Sequence, residues 1–354
     1  MRKKVLVAMS GGVDSSVAAY LLLRDGFEVV GATMCFGINS DQDEYSKPKC
    51  CGIQALDDAK RVCYKLNIPH YVFDYSKDLK EQVIDKFLLE YTQGRTPNPC
   101  VECNRYLKFG SLLKKARLLG FDFLATGHYA KIENNNGRFL LKKAKDKTKD
   151  QSYFLYTLDK DKLPFVLFPL ADLTKKEVRK IASEAKLPVA DKPQSQDICF
   201  IPQKKYHKFL DDRVAEIRAG RIVDKNGKQL GEHKGIVYYT IGQRKGLNIS
   251  FKRPLYVVNV DASKNEIVVG DKKNLNAKKF EAKNINILVN QLPRKAFCKI
   301  RYASKGAKCD AAVVGSKLNI TFEKPQEAVT PGQSAVVYDG EIVLGGGIID
   351  KVYN

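Results

Sequence analysis

The sequence predicts an α/β protein, with a parallel sheet covered by helices on both faces and two small β-rich modules after it. Two observations predict this. Up to about residue 202, short apolar runs alternate with helix-period stretches, the pattern of βαβ units. Beyond that point, strand-like runs are separated by the turn signals "KNGK", "ASKNE" and "YDGE", as in antiparallel modules. At 354 residues the chain is too long for one typical domain. The expected division is 1–202, 203–271 and 272–354.

Taken in order, "KVLVAMS" leads into "SSVAAYLLLRDG", "EVVGATMCF" into "IQALDDAKRVCYKLN", and "HYVFDYS" into "LKEQVIDKFLLEYTQG". "YLKFGSLLKKARLLG" then precedes "FDFLATGHYA". Gly26, Gly94 and Gly120 stand where helices would end. A helical piece, "KKYHKFLDDRVAEI", opens the second part. The strand-like runs "GIVYYTIG", "PLYVVNV", "NEIVVG", "AFCKIRY", "KLNITF" and "SAVVYDGEIVLGGGII" follow.

Composition narrows the class. No segment supplies the roughly 20 apolar residues of a membrane span, and the N-terminal run "VLVAM" is too short for an export signal. Nine cysteines, with Cys50 and Cys51 adjacent, do not form a secreted framework, so a reduced cytoplasmic protein is expected. The charge is uneven. Lys and Arg balance Asp and Glu at 13 each over residues 1–100 and at 6 each over 301–354, while 101–300 hold 42 against 21. That middle stretch therefore carries the whole excess of +21. A localised positive charge suits a polyanion, nucleic acid first, and a generally Lys-rich composition is the bland alternative.

The strongest motif is "VLVAMSGGVDSS": a strand, a Gly pair and a helix start. Gly11 and Gly12 allow close approach of backbone to ligand. Ser10, Ser15 and Ser16 offer hydroxyls, the helix N-terminus offers amides to an anion, and Asp14 is a candidate Mg²⁺ ligand. No G-K-[ST] follows, so this is not a Walker loop. A second motif, "GRTPNPCVECNRYLKF", sets Cys100 and Cys103 two residues apart after a rigid Pro-rich segment. Alone, that pair reads as a redox couple, half a zinc site or cluster ligands.

"SGGVDSS" resembles the pyrophosphate (PP) loop of the ATP pyrophosphatase superfamily. With "GRTPNPCVECNRYLKFG", "ATGHYAKI", "KDQSYFLYTL", "KPQSQDICFIP", "YTIGQRKGL" and "VTPGQSAVVYDGEIVLGGGII" in this order, the chain resembles the tRNA-specific 2-thiouridylase family nearly end to end. The resemblance implies a doubly wound PP-loop ATPase sheet and a terminal β-barrel. It implies an ATP-dependent tRNA-uridine 2-sulfurtransferase acting on the wobble uridine, with tRNA and a sulfur donor (a cysteine desulfurase, a persulfide relay or free sulfide) as partners, and neither DNA nor membrane. ATP would lie on Ala8, Met9, Ser10, Gly11, Gly12, Val13, Asp14 and Ser15, near Met34 and Gly127. Asn98, Pro99 and Cys100 would face the target base. His128, Lys149, Asp150, Gln151, Arg301, Tyr302 and Gln333 would contact tRNA.

Cys103 and Cys199 would be the catalytic cysteines. The better-known branch of the family has Asp where this chain has Cys100, and carries a persulfide on the cysteine matching Cys199, which later forms a disulfide with the one matching Cys103. Three cysteines instead resemble related thiolases, in which Cys100, Cys103 and Cys199 would hold a [4Fe–4S] cluster with one iron open to hydrosulfide. Zinc, completed by Cys50 and Cys51, is a third reading. Rival functions are another adenylating enzyme of the superfamily, amide-forming or lysidine-type, and a non-catalytic RNA-binding metalloprotein.

Overall fold

The computed structural model describes residues 2–37, 53–193, 198–201 and 206–353. Cys50 and Cys51, which the zinc reading needs, lie outside the described residues. The chain divides into two compact units: residues 1–83, 100–205 and 341–343 form the first, and 84–99, 206–340 and 344–354 the second.

The first unit is built on a five-stranded sheet of β1 (Lys4–Ala8), β2 (Glu28–Cys35), β3 (His70–Asp74), β4 (Phe123–Thr126) and β7 (Val166–Leu167), in the order β3-β2-β1-β4-β7. Every pairing is parallel. Val5, Leu6 and Val7 of β1 are fully buried, as a central strand covered on both faces requires. The chain winds from β1 out to β3, then returns to place β4 on the other side of β1. Strand order therefore reverses between β1 and β4, where an open α/β sheet leaves a crevice beyond its carboxyl ends. The helices α1 (Val13–Arg24) and α2 (Ile53–Lys65) follow β1 and β2.

A hairpin that the sequence reading did not separate, β5 (Ala130–Asn135) with β6 (Arg138–Lys143), follows β4. Its turn residues Asn136 and Gly137 both have positive φ, which Asn-Gly supplies in tight hairpins.

In the second unit, β8 (Gly220–Val223), β9 (Gln229–His233), β10 (Tyr256–Asp261) and β11 (Glu266–Gly270) form a sheet in the order β10-β11-β8-β9. The run "GIVYYTIG" is not a strand; Ile236–Tyr238 is a 3₁₀ turn. Its alternation marks the burial of Val237 and Tyr239 rather than sheet pairing. The barrel comprises β12 (Asn276–Ile287), β13 (Lys295–Lys299), β14 (Ala307–Val314), β15 (Lys317–Glu327), β16 (Ser334–Asp339) and β17 (Ile342–Tyr353). Its six strands run β12-β15-β14-β13-β16-β17, and β12 also pairs with β17, so they close on one another as in a barrel. Phe280 and Phe322, with ring centroids 5.8 Å apart, lie in its core. In the same unit, Phe87 and Tyr91 of the helix Asp85–Thr92 pack tilted and edge-on among Tyr206 and Phe209. That cluster fixes the start of the segment running to Pro99. Among the described residues, no helix is long and apolar enough to cross a membrane.

Candidate active site

The loop between β1 and α1 is shaped by backbone packing. Gly11 has φ +66°, and a Cβ there would lie 2.1 Å from the Ala55 carbonyl oxygen, so α2 packs directly on the loop. Gly12 caps α1 in an extended conformation with no side-chain hydrogen bond to the first turn. The N-terminal amides of α1 are thus not taken up by a capping side chain, the arrangement that receives phosphate. The serines turn inward. Ser15 Oγ and Ser16 Oγ donate to the Gly12 carbonyl at 3.1 and 2.9 Å, and Ser15 Oγ accepts from Ser10 N at 3.2 Å. Their hydroxyls hold the loop's shape. Gly127, just after β4, lies so close that a Cβ would come 2.6 Å from Ser15 N. Met34, near the end of β2, is buried. Loop, Gly127 and the β1/β4 crevice therefore coincide.

Two lysines from distant sequence flank this loop, and sequence reasoning named neither. Lys175 Nζ donates to Asp14 Oδ1 at 2.6 Å, and Tyr129 OH donates to the same oxygen at 2.8 Å. Lys175 opens the helix Lys175–Glu184, set by a capping box between Thr174 and Glu177. Burial lowers the Lys175 pKa against the pull of Asp14; burial and Asp14 together raise that of Tyr129. On the other flank, Lys192 Nζ donates to the Gly11 carbonyl at 2.9 Å and to Asp58 Oδ2 at 2.6 Å. Burial pushes Asp58 up, but its hydrogen bonds from Lys192 and Arg61 bring it below the ordinary carboxylate value. Arg179 grips the same turn through the Ala190 and Lys192 carbonyls, at 3.1 and 3.2 Å.

Cys100 is exposed on the short helix Pro99–Glu102, whereas Cys103 is buried at the start of a π-helix, Cys103–Leu112. π-Helical turns frequently mark functional positions. Asn104 anchors this one by donating from Nδ2 to the Phe154 carbonyl at 3.0 Å while accepting from Lys108 Nζ at 2.9 Å. Cys199 is half-buried, and the described cysteines are not joined by disulfides. Among the described residues, no group of three or more His, Cys, Asp or Glu side chains is arranged to hold a metal. The three-cysteine ligand set expected for a [4Fe–4S] cluster is not among such groups, Cys100 being exposed and Cys103 buried.

Residues expected to meet tRNA in the first unit prove well tethered. His128 Nδ1 lies 2.7 Å from Thr126 Oγ1, and its ring packs against Phe109 and Phe168. Burial, then Lys108, pushes its pKa well down, so the imidazole is neutral near pH 7. Asp150 is buried and accepts from Ala144 N, Ser152 N and Ser152 Oγ. Gln151 Oε1 accepts from Tyr129 N at 2.9 Å. Lys149 is half-buried in the same loop.

In the second unit, the Gly94–Asn98 segment is clamped on several sides. Arg95 donates to Glu90 Oε2 at 2.7 Å, Asp350 Oδ1 at 3.2 Å and the Ile349 carbonyl at 3.0 Å. Thr96 N donates to the Pro331 carbonyl at 2.9 Å, and Thr96 Oγ1 donates to Thr240 Oγ1 at 3.4 Å. Gln333 Nε2 donates to the Thr96 carbonyl at 2.9 Å, so this amide serves the segment leading to Asn98 and Pro99. On the barrel, Arg301 donates to the Glu327 carbonyl, and Tyr302 is 39% exposed with Lys299 Nζ 5.6 Å from its ring centre.

The sequence that builds this geometry is matched by known families along nearly the whole chain. Residues 3–203 match the tRNA methyl transferase HUP domain family, 207–271 its PRC-barrel domain family, and 277–349 the aminomethyltransferase β-barrel domain family. The tRNA-specific 2-thiouridylase MnmA 1 of Syntrophus aciditrophicus is 52% identical over 99% of this chain and 94% of its own. The chain belongs to the tRNA-specific 2-thiouridylase family. Members named tRNA-specific 2-thiouridylase MnmA from Clostridium beijerinckii and Clostridium acetobutylicum are each 46% identical over 99% of this chain and 100% of theirs. Among solved structures, a 4-thiouridine synthetase–RNA complex with bound ATP is 18% identical over 60% of this chain and 50% of that one, with a TM-score of 0.35. That likeness is too loose to carry an argument. In this thiouridylase, Lys175, Tyr129, Lys192 and Asp58 join the loop residues legible from sequence.

Proposed function

We propose that this protein is an ATP-dependent tRNA-uridine 2-sulfurtransferase that replaces the C2 oxygen of the wobble uridine with sulfur. The observation that carries this is the uncapped helix N-terminus at the β1/β4 switch point, flanked by Lys175 and Lys192, in the same unit as Cys103 and Cys199, in a chain of the thiouridylase family.

ATP phosphates rest on the α1 amides. Mg²⁺, commonly held by one or two carboxylates plus substrate phosphates, fits Asp14 and would neutralise charge on the phosphate oxygens when bound. The wobble base, cheap to turn out of its loop, is received by Asn98, Pro99 and Cys100. Its O2 attacks the α-phosphorus and pyrophosphate departs, with Lys175 and Lys192 offering fixed positive charge beside the loop. Of the sulfur routes, we adopt the persulfide relay, since no described group of His, Cys, Asp or Glu is arranged to hold a metal. The terminal sulfur of a Cys199 persulfide, loaded by an external donor, adds at C2 and AMP leaves. Cys103 thiolate then attacks Cys199 Sγ, breaking its S–S bond. This leaves sulfur on C2 and a Cys103–Cys199 disulfide, which a thiol reductant reopens. No step is derived through a cluster. A cytoplasmic setting supplies the reducing conditions this cycle needs.

The test is to combine protein, ATP, Mg²⁺, a persulfide donor and tRNA, then digest the RNA for mass spectrometry. 2-Thiouridine is expected, and Cys103→Ser should abolish it while tRNA-dependent ATP–pyrophosphate exchange persists. AMP release without 2-thiouridine, or full activity of Cys103→Ser, would overturn the reading.

A further inference from the structure

The run after "YTIGQ" forms an exposed basic loop, residues 244–255, lining an open cleft of about 570 Å³, a size that takes a small ligand or one nucleotide. The loop is firmly seated. Leu247 and Leu255 are buried in the core of the middle sheet, and Ile249 packs against them. Gly246 and Asn248 take the left-handed turns this path requires. Its outer face is another matter. Phe251 is 46% exposed and is absent from that core. Arg244, Lys245, Lys252 and Arg253 are exposed in the same stretch, Arg244, Lys252 and Arg253 lining the cleft with Phe251, and the stretch holds no Asp or Glu. Only Arg253 has an ion-pair partner among the described residues, Asp271 at 2.8 Å.

An exposed ring among cations, on a rigid frame, costs solvation and self-repulsion unless a partner supplies stacking and negative charge. Single-stranded nucleic acid supplies both. The loop is also tied to the segment proposed to lead to the target base. Gln243 Nε2 donates to the Lys245 carbonyl and its Oε1 accepts from Thr240 N, while Thr240 Oγ1 accepts from Thr96 Oγ1. We propose that this loop is a second RNA-binding element, stacking an unpaired anticodon-loop nucleotide on Phe251 and gripping its neighbouring phosphates with Arg244, Lys245 and Lys252. The inference rests on tRNA being the substrate.

The test measures affinity for a tRNA substrate and for its isolated anticodon stem-loop, over a salt series, with wild type, Phe251→Ala and Arg244→Ala/Lys245→Ala. Circular dichroism and thermal midpoints confirm that these surface variants fold. Phe251→Ala should weaken both RNAs by about tenfold or more. The double variant should flatten the log K against log salt slope by roughly 1.4, from two lost single-strand phosphate contacts. Unchanged affinity and slope would overturn the proposal. So would a loss seen with whole tRNA but not with the stem-loop. Unchanged RNA affinity with slowed sulfur delivery would also overturn it and assign the cleft to the sulfur donor. A wild-type protein that binds no tRNA would instead sink the functional reading itself.

Discussion

Lys192→Met separates the pyrophosphate loop from its remote support while keeping side-chain volume. The lysine bridges the Gly11 carbonyl and Asp58, whose side chain is only 7% exposed. Without it, Asp58 keeps Arg61, whose own side chain is 65% exposed. Removing one partner of a buried pair costs about 3–5 kcal/mol. Arg61 remains and Lys192 is itself partly solvated, so a loss of about 2–3 kcal/mol is expected. For a unit of this size that lowers the thermal midpoint by roughly 5–10 °C. Function should suffer more than stability at 25 °C, because the Gly11 carbonyl loses its donor and a shift of about 1 Å in a positioning element can cost about 100-fold. ATP–pyrophosphate exchange should fall ten- to a hundredfold, with partial rescue by Lys192→Arg. Exchange within about twofold of wild type, or an unmoved midpoint, would refute the assignment of Lys192 as the loop's support.

Two further outcomes follow from the same geometry. Gly127→Ala places a Cβ 2.6 Å from Ser15 N and 2.7 Å from the Asp14 carbonyl carbon, and backbone on that side cannot yield cheaply. ATP affinity by calorimetry should fall about tenfold or more, and an unchanged affinity would show that β4 does not approach the nucleotide. His128 is held neutral by burial and Lys108, so its folded pKa lies below the unfolded value of about 6.5. Its contribution is complete above that pH and is lost as pH falls toward the folded pKa. The thermal midpoint of wild type should therefore drop more steeply between pH 7.5 and 5.5 than that of His128→Gln, and parallel profiles would contradict this.

What could be read from sequence was whatever is local. The Gly pair between a buried strand and a helix start marks the loop because backbone permissiveness is written in the residue itself. The parallel sheet shows in the alternation of apolar runs and helical stretches. The supports of the loop were not legible. Lys175 lies 161 positions from Asp14, Lys192 lies 181 from Gly11, and Gln333 lies 237 from Thr96. One lysine among 61 Lys and Arg residues carries no signal of its partner. Direction was equally hidden. Asp150 and Gln151 sit in a basic loop that reads as RNA-facing, yet both carboxylate oxygens of Asp150 accept hydrogen bonds, from Ala144 and Ser152, and the Gln151 side-chain oxygen accepts one from Tyr129 N. The π-helix at Cys103 has the composition of an ordinary helix, so only the fold reveals it.

The source of positive charge at the loop has a mechanical consequence. In a Walker loop the phosphate lysine is a member of the loop and moves with it. Here one ammonium comes from the first turn of the helix Lys175–Glu184 and holds Asp14. The other comes from the turn at 190–192, itself gripped by Arg179, and holds Gly11. Cys199 lies seven positions beyond Lys192. The side chain that holds Gly11 therefore belongs to a turn only seven positions before Cys199 in sequence. On the proposed mechanism, changes that loosen the 190–192 turn, at Arg179 as much as at Lys192, are expected to slow ATP–pyrophosphate exchange, whereas changes at Cys103 are expected to spare it.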